Sequence, residues 1–128
     1  MLYKKKISVL IVDDDFFNQS IFSMLLEQAE LPFTVANDGL DAVAKVMVED
    51  FSLVLMDVQM PLMNGLDATR TIRHLPGKQR IPIIAISANA FEEDKARCFA
   101  AGMNAFLAKP VAAKVLYHEI CQQLKLAI

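Results

Sequence analysis

Residues 53–73 read LVLMDVQMPLMNGLDATRTIR, and the pattern they set recurs along the whole chain. Leu53–Met56 is an apolar run without polar alternation, which predicts a strand buried on both faces. Asp57 ends the run, Pro61 through Gly65 carry turn chemistry, and Leu66–His74 completes the unit as a helix. Outward from it, Ile7–Val12, Phe33–Ala36, Ile81–Ile86 and Ala105–Ala108 are further candidate strands. Between them lie helix-period stripes: Phe17, Ile21, Met24 and Gln28; Leu40, Val43 and Met47; Ala96, Phe99, Ala100 and Met103; Leu116, Ile120 and Leu124. Asn37-Asp38-Gly39 and Pro76-Gly77 mark turns, and Gly102 stands where a helix C-cap is expected. Five βα units without an internal repeat or linker predict an α/β fold, a doubly wound open parallel sheet with helices on both faces. Such sheets bind ligands beyond the carboxyl ends of their strands, where strand order switches.

Composition narrows the function classes. The chain has 128 residues, 13 Lys plus Arg against 15 Asp plus Glu, and a net charge of -2. One domain is expected, and the charge balance gives no case for nucleic acid or an anionic membrane. At 55% hydrophobic and 22% charged residues, the chain is not a disordered polymer. Cys98 and Cys121 are too few and too far apart for a disulfide framework or zinc knuckle, which fits a reducing, cytoplasmic compartment. Three lysines before Ile7–Val12 imitate a signal peptide, but six apolar residues followed by three aspartates do not make a secretory core. No run approaches the roughly 18 apolar residues of a membrane span. A soluble intracellular domain, or a soluble piece of something larger, is expected. His118 is expected to be solvated or packed, and His74 to complement the end of a helix dipole.

Chemistry concentrates at the strand ends. The first strand ends in Asp13-Asp14-Asp15, the third in Asp57, the fourth in Ser87-Ala88-Asn89, and the fifth leads through Phe106 to Lys109-Pro110. Carboxylates about 4 Å apart repel by roughly 4 kcal/mol at an effective dielectric near 20. Asp13, Asp14 and Asp57 together therefore call for a cation beyond Lys109. Hard oxygen donors without histidine or cysteine favour Mg²⁺. A magnesium ion, a lysine and a hydroxyl around one carboxylate are what phosphoryl transfer to that carboxylate needs, with Asp57 as nucleophile. Asp15 is expected to cap the first helix. No GxGxxG or GxxxxGK[ST] loop follows the first strand, which argues against nucleotide-binding enzymes.

VLIVDDD, LVLMDVQMPLMNGLDATRTIR, IPIIAISANA and AGMNAFLAKPV resemble the characteristic stretches of response regulator receiver domains, across about Ile7 to Leu124. The resemblance implies a flavodoxin-like (βα)5 sandwich, strand order 2-1-3-4-5, over a single domain of residues 1–128. It implies that Asp57 is the phosphoacceptor, that Asp14 binds Mg²⁺ directly and Asp13 through water, and that the Gln59 carbonyl is a further ligand. Lys109 matches the family's lysine, Ser87 its switch hydroxyl and Phe106 its rotating aromatic. Gln59 and Asn89 flank the phosphoryl site, and Lys109-Pro110 is expected to be a cis peptide. Asp15 and Asn64 depart from the commonest residues, Ser87 replaces threonine, and Phe106 lacks a tyrosine's hydroxyl. None of these changes removes a group the chemistry needs.

The implied partners are a histidine kinase or histidine phosphotransfer domain, docking near the first helix, and a downstream protein on the helix 4–strand 5–helix 5 face. A monomer in isolation is expected. The implied function is a phosphorelay switch rather than a separate enzyme. DVQMPLMNG and AGMNAFLAKPV particularly resemble receivers within hybrid sensor histidine kinases, with a stand-alone regulator as the alternative. No output region follows Ile128, so output is expected through docking or a larger chain. The rival function is a degenerate receiver that binds partners without phosphorylation.

Overall fold

The computed structural model describes residues 7–60 and 62–125. Pro61 of the predicted turn and Lys4–Lys6 of the leading basic segment lie outside them. Five strands alternate with five helices: β1 Val9–Val12, α1 Phe16–Gln28, β2 Phe33–Ala36, α2 Gly39–Val48, β3 Leu53–Asp57, α3 Gly65–Arg73, β4 Ile83–Ser87, α4 Glu92–Ala101, β5 Ala105–Ala108 and α5 Ala113–Leu124. The strands form one parallel sheet in the order β2-β1-β3-β4-β5. β4 begins at Ile83 rather than Ile81 because Pro82 intervenes, and proline cannot donate to a ladder.

The sheet divides two cores. Leu10, Val12, Val54, Met56, Ile83 and Ala85 face α2, α3 and α4. Their neighbours along the same strands, including Val9, Ile11, Leu53, Leu55, Ile84 and Ile86, face α1 and α5. Burial on both faces explains the unbroken apolar runs. Each fully buried Leu or Ile adds about 1.5–3 kcal/mol.

Three helices are rotated relative to their apolar stripes. α1 buries Phe22 and Leu26, leaving Phe17 and Met24 exposed. α2 buries Gly39, Ala42 and Val46, leaving Leu40 and Met47 exposed. α4 buries Cys98 and Ala101, while Phe99 is exposed. In α2 and α4 the inward residues are mostly small, so the hydropathy pattern points to the adjacent position. α5 buries Leu116 and Ile120 as its stripe predicts. Asp15, Asp38 and Asn64 cap α1, α2 and α3, accepting from the backbone N–H groups of Phe17, Asp41 and Asp67. Gly102 ends α4 with φ of 111°, in the left-handed region that glycine enters without strain. Among the described residues no helix is long and apolar enough to cross a membrane.

Candidate functional site

Strand register assembles the site. Val12 pairs with Met56, so Asp13 and Asp57 lie side by side on adjacent strands. Asp57 in turn lies level with Ile86, one residue before Ser87. Ser87 pairs with Ala108, which puts Lys109 one step further along β5. The Lys109 backbone N–H donates to the Ser87 carbonyl at 2.8 Å, and the Lys109-Pro110 peptide is cis.

Asp13, Asp14 and Asp57 each offer a carboxylate oxygen, and these oxygens lie within 4.8 Å of one another. Asp13 and Asp57 are buried and Asp14 is exposed. The Lys109 Nζ lies 3.2 Å from Asp57 Oδ1 and 3.7 Å from Asp13 Oδ2. Burial pushes the Asp57 carboxyl up to about 6; the Asp13 charge adds to that rise and Lys109 opposes it. Burial also raises Asp13, against a hydrogen bond from the Asp15 N–H and the charge of Lys109. At 4.8 Å, the upper limit of these separations, two carboxylates repel by about 3.5 kcal/mol at an effective dielectric near 20. One lysine cannot offset three acids. The all-oxygen donor set, short of positive charge, fits a hard divalent cation. Among the described residues it is the one such cluster of three or more acids, histidines or cysteines.

Ser87 is buried beside this cluster, yet its hydroxyl is turned to other partners. Gln59 Nε2 and the Asn89 backbone N–H donate to Ser87 Oγ at 3.2 and 3.1 Å. The hydroxyl lies 3.1 Å from the Asn89 carbonyl and 3.4 Å from Gln59 Oε1. The exposed Gln59 and Asn89 also line a cleft of about 610 Å³, with Val58, Met60, Asp94 and Arg97 among its walls. Phe106 stays apart from the carboxylates. It is half-buried against the α2–α3–α4 core, with Lys95 Nζ 5.8 Å from its ring centroid.

Three contributors were missing from the sequence reading. Gln19 donates to the Asp13 carbonyl at 2.6 Å and to Asn37 Oδ1 at 2.9 Å, bracing the end of β1 against the loop after β2. Its only signal is its place one turn into α1, four residues after the cap. Gly65 abuts the end of β3: a Cβ there would collide with the Asp57 carbonyl oxygen and press on Met56 Cγ and Val58 Cα at 3.0 Å. The turn signal marked this glycine without showing what it touches. Lys95 over Phe106 had no signal, because the pairing joins α4 to β5.

A family model described as the response regulator receiver domain matches residues 9–121. Hybrid signal transduction histidine kinase B of Dictyostelium discoideum is 41% identical over 114 residues, covering 80% of this chain and 6% of that protein. The signal transduction histidine-protein kinase BarA of Escherichia coli K12 is 36% identical over 115 residues, covering 90% of this chain and 12% of that protein. The chain therefore spans about an eighth or less of these relatives. Among solved structures, the receiver domain of a sensor histidine kinase from Pseudomonas aeruginosa superposes with a TM-score of 0.88 at 33% identity, covering 94% of this chain and 99% of that one. That structure has a magnesium ion coordinated in its active site cleft. The chemotaxis protein CheY4 of Vibrio cholerae superposes with a TM-score of 0.89 at 28% identity, covering 94% of this chain and all of that one.

Proposed function

The chain belongs to the response regulator receiver family of two-component signalling, and on that premise we propose that Asp57 is its phosphoacceptor within one domain of residues 1–128, core 7–124. One observation carries the reading: three carboxylates and a single lysine meet at the carboxyl ends of β1, β3 and β5. With its carboxyl pushed up only to about 6, Asp57 is mostly ionised at neutral pH and able to attack.

Asp13, Asp14, Asp57 and the Gln59 carbonyl would hold Mg²⁺, Asp13 through water. When bound, the ion supplies positive charge that offsets these carboxylates and the oxygens of the transferring phosphoryl group. The donor is a phosphohistidine on a histidine kinase or phosphotransfer domain docked near α1. An Asp57 carboxylate oxygen attacks phosphorus, the N–P bond breaks, and the departing imidazole takes a proton from solvent. The product is an aspartyl phosphate. Lys109, ion-paired to Asp57 beforehand, stays within reach of the new oxygens, and Ser87 donates its hydroxyl to one of them. Ser87 moving inward leaves room for Phe106 to turn, which alters the α4–β5–α5 face read by a downstream protein. This is a population shift biased by contacts to the phosphoryl group. Water attack on phosphorus later returns the carboxylate and inorganic phosphate, at a rate set by Gln59 and Asn89.

The domain so read acts on its own side chain rather than on a diffusible substrate. Within a hybrid kinase it would be one part of a larger transferase, in the cytoplasm. The intact acid set and lysine favour this reading over a binding module that works without phosphorylation. Incubation with phosphoramidate and Mg²⁺ tests it by intact mass. Wild type gains one phosphoryl group and Asp57→Asn gains none; equal gain, or none in either, overturns the reading.

A further inference from the structure

We propose that Gln59 is a positioning residue that holds the Ser87 hydroxyl away from Asp57, so that its side-chain amide sets how readily the phosphoryl-bearing state is reached. The proposal rests on the acceptor role of Asp57 argued above and adds a latch to it.

A serine hydroxyl has one proton to give and two lone pairs. At Ser87 both lone pairs are filled, by Gln59 Nε2 at 3.2 Å and the Asn89 N–H at 3.1 Å. The proton has its own acceptors, the Asn89 carbonyl at 3.1 Å or Gln59 Oε1 at 3.4 Å. The group is therefore saturated before any phosphoryl oxygen arrives. To donate to one, Ser87 must rotate and give up bonds it already makes, and at 1% exposure no solvent replaces them.

The two partners of Ser87 differ in kind. Asn89 lies two residues away, so its contacts belong to the local turn after β4. Gln59 is 28 residues away, on the loop after β3. The Gln59 bond thus ties the end of the acceptor's own strand to the hydroxyl that must move. Gln59 is exposed and borders the cleft of about 610 Å³, so its released amide has room to swing and water to bind. The bond is neutral, whereas one from Ser87 to a phosphoryl dianion is charge-assisted and stronger. Phosphorylation therefore opens the latch, but against resistance.

The test is a double-mutant cycle on the affinity of the Mg²⁺-loaded domain for beryllofluoride, a phosphoryl mimic, followed by ¹⁹F NMR. Gln59→Met keeps the bulk and the backbone carbonyl but removes the amide. It is expected to tighten beryllofluoride binding about three- to tenfold, one neutral hydrogen bond's worth. In a Ser87→Ala background the same substitution is expected to change nothing. In the metal-free domain, the Ser87 Hβ couplings should report one rotamer in wild type and averaging in Gln59→Met. An equal gain with or without the Ser87 hydroxyl would mean that Gln59 merely obstructs the site, and would overturn the latch. So would unchanged affinity in Gln59→Met. If wild type and Asp57→Asn respond alike to beryllofluoride, the acceptor assignment itself falls, a result distinct from either.

Discussion

At the amino ends of β4 and β5 the molecule holds one half-buried cation among neutral acceptors, whereas at the carboxyl ends three carboxylates share one lysine. The cation is Arg73, in the last turn of α3. Its Nε and Nη2 donate to the Gly102 carbonyl at 3.0 and 2.7 Å, and Nη2 also donates to Asn104 Oδ1 at 2.8 Å. Asn104 Oδ1 accepts from the Ile83 N–H as well, so one guanidinium ties α3 to the starts of both strands. Burial alone lowers the Arg73 pKa; no like charge crowds it. The opposite end combines burial with repulsion between Asp13 and Asp57. One end is electrostatically complete within the chain. The other is complete only with a cation or a phosphoryl group added, so the fold's instability is collected where its chemistry takes place.

The sharpest way to break this contrast is to exchange the expected phenotypes of its two ends. Asp57→Asn should abolish phosphorylation by phosphoramidate while the domain stays folded. Arg73→Met should retain phosphorylation, as intact mass will show. In urea unfolding Arg73→Met should lose about 2–3 kcal/mol, the cost of leaving charge-bonded acceptors without their donor.

The next effect is a pH dependence of the metal-free domain. Because the folded-state pKa of Asp57 is raised to about 6, the folded form binds its proton more tightly than the unfolded form. The resulting stability is full below the unfolded pKa and disappears as pH rises through 6. Acidification from pH 7 to 5 should therefore stabilise the domain by about 1–2 kcal/mol, and raised Asp13 acts in the same direction. Asp57→Asn should flatten the slope, and saturating Mg²⁺ should suppress it by keeping the carboxylates ionised. Denaturant midpoints across that range provide the measurement. The smallest effect belongs to an ion pair outside the acid cluster, along α2. Lys45 and Asp41 lie 2.7 Å apart, each about a third exposed, so Asp41→Asn should shift stability by no more than about 0.5 kcal/mol.

These contrasts were legible in the sequence to different depths. The run Leu53–Met56 ending in Asp57 announced both a buried strand and an acid at its carboxyl end, because strand burial and strand polarity are written in adjacent residues. Asp13 and Asp14 were visible for the same reason. The order 2-1-3-4-5 came from resemblance, since no local pattern encodes which strand lies beside which. Helix rotation was misread at α2 because its buried positions include Gly39, which abuts Met63, and Ala42, which joins the core beside the sheet; hydropathy marks large residues, while close packing selects small ones. Arg73 looked like an ordinary polar residue, and Gln59 was marked through resemblance as a carbonyl ligand and a flank of the phosphoryl site, not as a side-chain partner of Ser87. Their roles depend on Asn104 and Ser87, which are 31 and 28 residues away.

Gly65 has a consequence for genetics. Its missing side chain lets α3 start against the Asp57 carbonyl oxygen and the neighbouring Val58 Cα. In a mutational screen scored by signalling, lesions at this position would cluster with those at Asp57, although glycine has no group that could exchange a proton or hold a metal. The defect would be mechanical: even an added methyl group displaces the strand end that aims the nucleophile. A screen alone would count Gly65 among the chemically active residues.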